Sequence, residues 1–252
     1  MTDVLVEVTD SVATVTLNRP ERRNAISSQL LAALTSALTG LDERQDVHAI
    51  VLTGADPAFC AGLDLSELEL QGSALAQSAP AGRPVPDLGT PLIGAVNGAA
   101  ITGGLELALN CDFLVASDRA RFADTHARIG IQPGWGLTVL LPEAVGLRRA
   151  REMSGTGNFV SAQTALAWGL VNHVVPHEEL LVFARQLAAD IGSNDQDAVQ
   201  ALYSTYRQGS LVSGAEALAL EASAHARWRG GIDPGEVARR REGVIARGRS
   251  QA

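Results

Sequence analysis

Short apolar runs, each parted from the next by a stretch of helical period, constrain this chain more than any other feature. The runs are "VATVTL", "HAIVLTG", "PLIGAVNG" and "CDFLVAS". Strands this apolar, separated by helices, point to parallel pairing that is buried, with right-handed crossovers. The first run also belongs to a hairpin. "VLVEVTDSVATVTLN" alternates on both sides of "TDS", which predicts strands at Val4–Val8 and Val12–Leu17. "NRPERRNA" is a loop, and Ser27 or Ser28 caps a helix that carries Leu30, Leu31, Leu34 and Leu38 at helical spacing.

Further along, the character changes. "QGSALAQSAPAGRPVPDLG" is rich in Ala, Ser, Gly and Pro, and residues 71–89 read as a loop, either mobile beside a site or a plain exposed connection. "SAQTALAWGLVNHVVP" predicts a capped short helix, a stop at Gly169, then a strand. From His177 onward the period is helical in "EELLVFARQLAADI", "DAVQALYSTYRQ", "GAEALALEASAHARW" and "PGEVARRREGVIA". The organisation expected is an α/β core over 1–190 and a helical region over 191–252.

Charge and composition exclude several classes. The net charge of −8 argues against a nucleic-acid partner. No apolar run reaches the length of a membrane span, and "MTDVLVEV" carries no export signal, so the cytoplasm is expected. All 20 basic residues are Arg. Without Lys there is no Schiff base and no lysine for a phosphate loop. Cys60 and Cys111 alone make neither a disulfide framework nor a structural zinc site, and they read as buried thiols.

Two strand–turn–helix segments carry the candidate chemistry. In "NGAAITGGLELALNCD", Gly103 and Gly104 stand at the mouth of a helix, and one acid, Glu106, follows in an apolar turn. A phosphate loop would need Lys and then Ser or Thr after its last Gly, where this chain has Leu105 and Glu106. The first N–H groups of a helix lack internal partners and suit an oxygen that becomes negative. "AFCAGLDLSEL" supplies a second small-residue turn after "HAIVLTG", with Asp64 or Ser66 starting a helical stretch. Together the turns can present two main-chain donors to one carbonyl oxygen.

Phe59–Leu65 ("FCAGLDL") and Pro91–Asp112 together resemble the crotonase, or enoyl-CoA hydratase/isomerase, superfamily, closest to enoyl-CoA hydratase. The likeness extends to "VTLNRPERRNAIS", "RFADTHARIGIQPGWG" and "SAQTALAWGLVNHVVP", almost the whole chain. It implies an α/β fold, a crotonase-like spiral of repeated ββα units with a C-terminal helical trimerisation region. It further implies an acyl-CoA thioester substrate, no cofactor or metal beyond the substrate's own coenzyme A, and a homo-oligomer, trimer or dimer of trimers. By position, the amides of Ala61 and Gly103 form the oxyanion hole, and Glu106 matches the first of two catalytic glutamates. The implied ligand contacts are Arg22, Arg23 and Ala25 in the loop on the nucleotide side, Asp64 and Leu65 after the first turn, and Trp135 shaping the acyl pocket.

The chain departs from that pattern in named places. The second glutamate falls twenty residues after Glu106, where this chain has His126. Thr102 replaces the first of three glycines, and "EGVIARGRS" lacks the Phe and Lys that relatives extend toward a neighbour's coenzyme A. Hydration needs a base to take a proton from water and an acid to protonate the α-carbon. Glu106, among Leu105, Leu107, Ala108 and Leu109, is the expected base. His126, ordinarily about a quarter protonated at neutral pH, is the expected acid; the alternative is a pocket-lining ring bonded to Asp124 or Thr125. The leading expectation is an enoyl-CoA hydratase. The alternatives are a double-bond isomerase on the same scaffold and an acyl-CoA-binding protein with weak or no turnover.

Overall fold

The hairpin, the four apolar runs and the late strand assemble into one six-stranded sheet in the computed structural model, which describes residues 2–64, 66–67, 82–210 and 212–228. The strands of this sheet are β1 (Val4–Thr9), β2 (Val12–Leu17), β3 (Ala49–Gly54), β5 (Leu92–Val96), β7 (Phe113–Ser117) and β10 (His173–Val175), side by side in that order. β1 and β2 pair antiparallel with Val4 opposite Leu17, and every later pair is parallel.

The pleat explains why these runs are apolar throughout. Ala13, Val15, Leu17, Ile50, Leu52, Leu92, Val96, Leu114 and Ala116 face one core, which contains Leu30, Leu31, Leu34, Leu38 and Leu41 of helix α1 (Ser28–Asp42). Their alternate neighbours Val12, Ala49, Val51, Ile93, Ala95 and Val115 face a second core with Leu180, Ala184 and Ala188 of a helix over Leu180–Gly192. The inner strands β2, β3, β5 and β7 therefore bury both faces, as parallel sheets do, while the edge strands β1 and β10 stay partly exposed. Ser27 is the cap of α1, its side chain accepting from the Leu30 amide at 3.1 Å.

A second, smaller sheet has the order β4 (Ala58–Cys60), β6 (Ala99–Ile101), β8 (Arg121–Ala123), β9 (Val160–Ser161). β4–β6–β8 are parallel and β9 is antiparallel. β4 and β6 lead directly into the two small-residue turns, so the pairing of Ala58 and Cys60 with Ala99 and Ala100 sets the turns beside each other. This sheet has no counterpart among the strands expected from the sequence.

The remaining helices follow in chain order: α2 (Gly103–Leu109), α3 (His126–Ile129), α4 (Leu137–Val145), α5 (Leu147–Thr156), α6 (Ala162–Trp168), α7 (Leu180–Gly192), α8 (Gln196–Gly209) and α9 (Gly214–Trp228). α6 is capped by Ser161 and stopped by Gly169 at φ 85°, matching the start and stop read from "SAQTALAWG". The expected helix in "PGEVARRREGVIA" and the stretch 71–81 of the expected loop lie outside the described residues. The end of that loop is anchored: Val85 and Leu88 are buried, and the Gly89 and Thr90 amides donate to the Asp42 carboxylate at 3.2 and 2.7 Å.

The chain forms two compact units, Met1–Gln196 and Asp197–Ala252. The first contains both sheets. In the second, the Glu216 carboxylate reaches back to Ser213 at the start of α9, with Oε2 of Glu216 accepting from the Ser213 amide at 3.0 Å and from its hydroxyl at 2.8 Å. Among the described residues no helix is long and apolar enough to cross a membrane.

Candidate active site

The site is built from the ends of β4, β6 and β8. After β4 the chain turns at Gly62, whose φ of 98° favours glycine, and a β-carbon there would lie 2.9 Å from the Ile101 carbonyl oxygen. After β6 it turns at Thr102 and enters α2. Gly104 packs directly on the first turn: a β-carbon on it would collide with the carbonyl of Cys60. The two turns are thus held in backbone contact.

Main-chain hydrogen bonding decides which amides are free. The Ala61 amide donates to the Arg23 carbonyl at 3.0 Å, so Ala61 is not the free donor that its position implied. The Gly62 carbonyl accepts from Ile26 at 2.7 Å, and the Asp64 amide donates to the Ile26 carbonyl at 2.9 Å. In this parallel bridge the intervening amide, that of Leu63, points the other way and has no acceptor among the described residues. The Gly103 amide, first in α2, is likewise without one. Leu63 N lies 3.5 Å from the place a β-carbon of Gly103 would take, and Gly103 N lies 3.5 Å from the matching place on Gly62. The unspent pair is Leu63 and Gly103. Both turns were legible in the sequence, and Gly103 follows from its place at a helix start; which amide the first turn leaves free depends on the Arg22–Ile26 loop, distant in the chain.

Glu106 sits in the first turn of α2 and is 2 % exposed. Its Oε1 accepts from the Trp135 amide at 2.8 Å, and its Oε2 lies 3.5 Å from Nε2 of His126. His126 opens α3 and is 4 % exposed. Its Nδ1 lies 2.6 Å from Oδ1 of Asp124, and its amide donates to the same oxygen at 3.1 Å. Burial works against charge on the ring, but hydrogen bonds to Asp124 and Glu106 and the field of both carboxylates outweigh it, raising its pKa to about 9. The ring is therefore a cation at neutral pH, well beyond the quarter protonation expected of a free histidine.

Thr102 joins the two halves of the site. It adopts φ 55° and ψ −110°, a strained backbone for a β-branched residue, and its Oγ1 pairs with Thr125 Oγ1 at 2.5 Å and accepts from the Thr125 amide at 3.2 Å. The residue before the Gly103 amide is thereby clasped to the residue before His126.

The other expected site residues fall as follows. Trp135 is 1 % exposed, and its Cζ3 lies 3.4 Å from the β-carbon position of Gly103, so the indole forms a wall beside that amide. Asp64 does not offer its carboxylate to a ligand: one oxygen pairs with Arg19 at 3.0 Å and the other accepts from the Ser66 amide at 3.1 Å. Arg19 also donates to the Ala25 carbonyl at 2.6 Å, so this ion pair braces the turn that carries Leu63. Arg22 and Arg23 are exposed and Ala25 half-buried, in the loop whose Arg23 carbonyl holds Ala61. Leu65 lies outside the described residues. Cys60 and Cys111 are buried and unbridged; burial pushes the Cys60 thiol up to about 12 and the Cys111 thiol upward too, which leaves both inert.

Sequence reasoning missed Leu63 as a donor, Arg19 as a brace, and Asp124 as more than an alternative partner of the ring. The one local signal was an Asp two residues ahead of a His at a helix start, an arrangement that lets one carboxylate reach both the His amide and its ring.

Comparison with known proteins agrees with this architecture. The family model described as enoyl-CoA hydratase/isomerase matches residues 7–244. A probable peroxisomal enoyl-CoA hydratase 1 of Arabidopsis thaliana is 39 % identical over 222 residues, covering 87 % of this chain and 84 % of the relative. A short-chain-enoyl-CoA hydratase of Clostridium acetobutylicum is 35 % identical over 236 residues, covering 89 % and 88 %. Among solved structures, the enoyl-CoA hydratase of Mycobacterium tuberculosis H37Rv is 48 % identical with a TM-score of 0.78, covering 91 % of this chain and all of that one. The enoyl-CoA hydratase of Bacillus anthracis is 34 % identical with a TM-score of 0.87, covering 98 % and 96 %. On its sequence, its two sheets and its solved neighbours, this chain belongs to the enoyl-CoA hydratase/isomerase family and has the crotonase fold.

Proposed function

We propose that this protein is an enoyl-CoA hydratase that adds water across the double bond of a 2-enoyl-CoA to give a 3-hydroxyacyl-CoA. One observation carries the reading. Two unspent amides, Leu63 and Gly103, border the end of the helix on which Glu106 stands 3.5 Å from a charged His126. The thioester oxygen lies on the two amides, which stabilise the negative charge that grows there, each by roughly 3–4 kcal/mol. Glu106 takes a proton from water as the water oxygen bonds to C3. The electron pair of the double bond moves toward the thioester oxygen as an enolate. Nε2–H of His126 then protonates C2. The proton left on Glu106 returns across the 3.5 Å gap to His126, which restores both groups.

Trp135 borders the acyl pocket. Arg22 and Arg23, the exposed cations beside the Ala61–Leu63 turn, meet the coenzyme A phosphates. No group beyond the substrate's coenzyme A enters these steps. The chain acts as a homo-oligomer, trimer or dimer of trimers, through its C-terminal helices. The exposure of Leu202, Tyr206 and Leu218 there supports a surface that a partner covers. The chain works in the cytoplasm, a setting distinct from the peroxisome and the mitochondrion named for two relatives.

The test is product identity with a panel of 2-enoyl and 3-enoyl thioesters. A 3-hydroxyacyl-CoA from the 2-enoyl substrates is expected. Conversion of 3-enoyl to 2-enoyl thioester without hydration would replace the reading with an isomerase. Tight binding with no turnover would replace it with an acyl-CoA-binding protein.

A further inference from the structure

Asp124 is 1 % exposed, and none of the steps above uses it. Its burial pushes the carboxyl up, but hydrogen bonds from the His126 ring, Ser154 of α5 and the His126 amide more than offset this, so it stays below the usual carboxylate range and is ionised. An ionised carboxylate only accepts hydrogen bonds. At 2.6 Å, His126 Nδ1 must therefore be the donor. That fixes what the other nitrogen can be. In a neutral ring with its proton on Nδ1, Nε2 presents a lone pair toward Oε2 of Glu106, 3.5 Å away. A proton between the two relieves that opposition and makes Nε2 a donor facing Glu106.

We propose that Asp124 is a positioning residue that holds His126 in the Nδ1–H form and so lodges the site's mobile proton between His126 Nε2 and Glu106 Oε2, ready for delivery to C2. The inference rests on the reading of His126 as proton donor. The charged groups acting on the ring are Asp124 and, from α2, Glu106. Ser154 from α5 and the Thr102–Thr125 pair contribute hydroxyls around them. The Thr102–Thr125 clasp ties the peptide ahead of His126 to the residue that precedes the Gly103 amide.

The experiment compares wild type, Asp124→Asn and Asp124→Glu. Hydration of a 2-enoyl-CoA is followed from acid to alkaline pH, alongside 15N NMR of the His126 ring. Asp124→Asn is expected to lower kcat by about 10-fold to 100-fold, with KM changed by less than about threefold. The alkaline limb of its kcat profile moves down by at least about one pH unit, and Asp124→Glu recovers part of that shift. Loss of thermal stability with the limb and the ring titration both unmoved would overturn the proposal. If the wild type hydrates no thioester, the hydratase reading fails, and the NMR still decides the role of Asp124. A ring that titrates alike in wild type and Asp124→Asn sinks it; a lower titration in the variant upholds the placement of the proton. Should Asp124→Asn not fold, Asp124→Glu decides the question instead: a limb and a ring titration close to wild type support the carboxylate, and a titration near that of a free histidine contradicts it.

Discussion

Nε2 of His126 stands 3.5 Å from Oε2 of Glu106, and both side chains are almost wholly buried. A second carboxylate, Asp124, holds the far side of the same ring. One imidazolium between two carboxylates leaves the cluster one negative charge rather than two. Two glutamates at the same place would share a proton between like charges instead.

The pairing ties stability to pH. The folded pKa of His126, about 9, lies above its value near 6.5 in the unfolded chain. Its contribution is therefore fully present below about pH 6.5 and is lost as pH rises through about 9. The melting temperature is expected to fall across that window, and His126→Gln to flatten the fall. A wild-type profile that is level from neutral to alkaline pH, with His126→Gln parallel to it, would count against a charged ring.

Asp64 gives the opposite limb. Burial raises its carboxyl, but the Arg19 guanidinium and the Ser66 amide hold it below the usual range. Its stabilisation is present above the unfolded value near 3.9 and is lost as pH falls through the lower folded value. Asp64→Asn is expected to lower unfolding free energy at neutral pH by about 1–4 kcal/mol, between an exposed and a buried ion pair. Urea titrations should show that gap shrinking toward pH 3. A gap of constant size would mean that the ion pair is not its source.

Thr102 carries both strain and hydrogen bonds. Thr102→Ala loses the clasp to Thr125 and keeps a left-handed non-glycine backbone; Thr102→Gly loses the same clasp and is freed of the strain. Glycine is therefore expected to be the more stable variant by about 1 kcal/mol, read from thermal unfolding. Alanine equal to or above glycine would refute the strain.

Much of the large sheet was legible because each of its runs carries a simple apolar pattern. The hairpin was expected at Val4–Val8 and Val12–Leu17 and is found at Val4–Thr9 and Val12–Leu17. The small sheet was not legible. Ala58–Cys60, Ala99–Ile101 and Arg121–Ala123 are too short to display a period, and their pairing is non-local. The error at Ala61 has a related cause. Residue type marks a turn, but peptide orientation decides which amide is free, and that orientation is imposed by Arg23 and Ile26. Asp124 was foreseen only as an alternative partner of the ring, because its effect on His126 is a matter of burial and a 2.6 Å contact.

Gly104 is the tightest point between the two turns. Gly104→Ala would drive a methyl group into the Cys60 carbonyl, and neither backbone can yield without moving the amides that border the site. Loss of soluble folded protein, or a melting temperature lower by at least about 5 °C, is expected. A variant as stable as wild type would show that the two turns are not in backbone contact.

The most direct measurement is the rate at which Glu106→Gln hydrates a 2-enoyl-CoA, set beside the affinity of the same variant for the saturated thioester. The base role predicts a fall in kcat of at least about 10²-fold, with affinity held within a few fold of wild type. Turnover equal to that of wild type would contradict it and remove Glu106 from the chemistry.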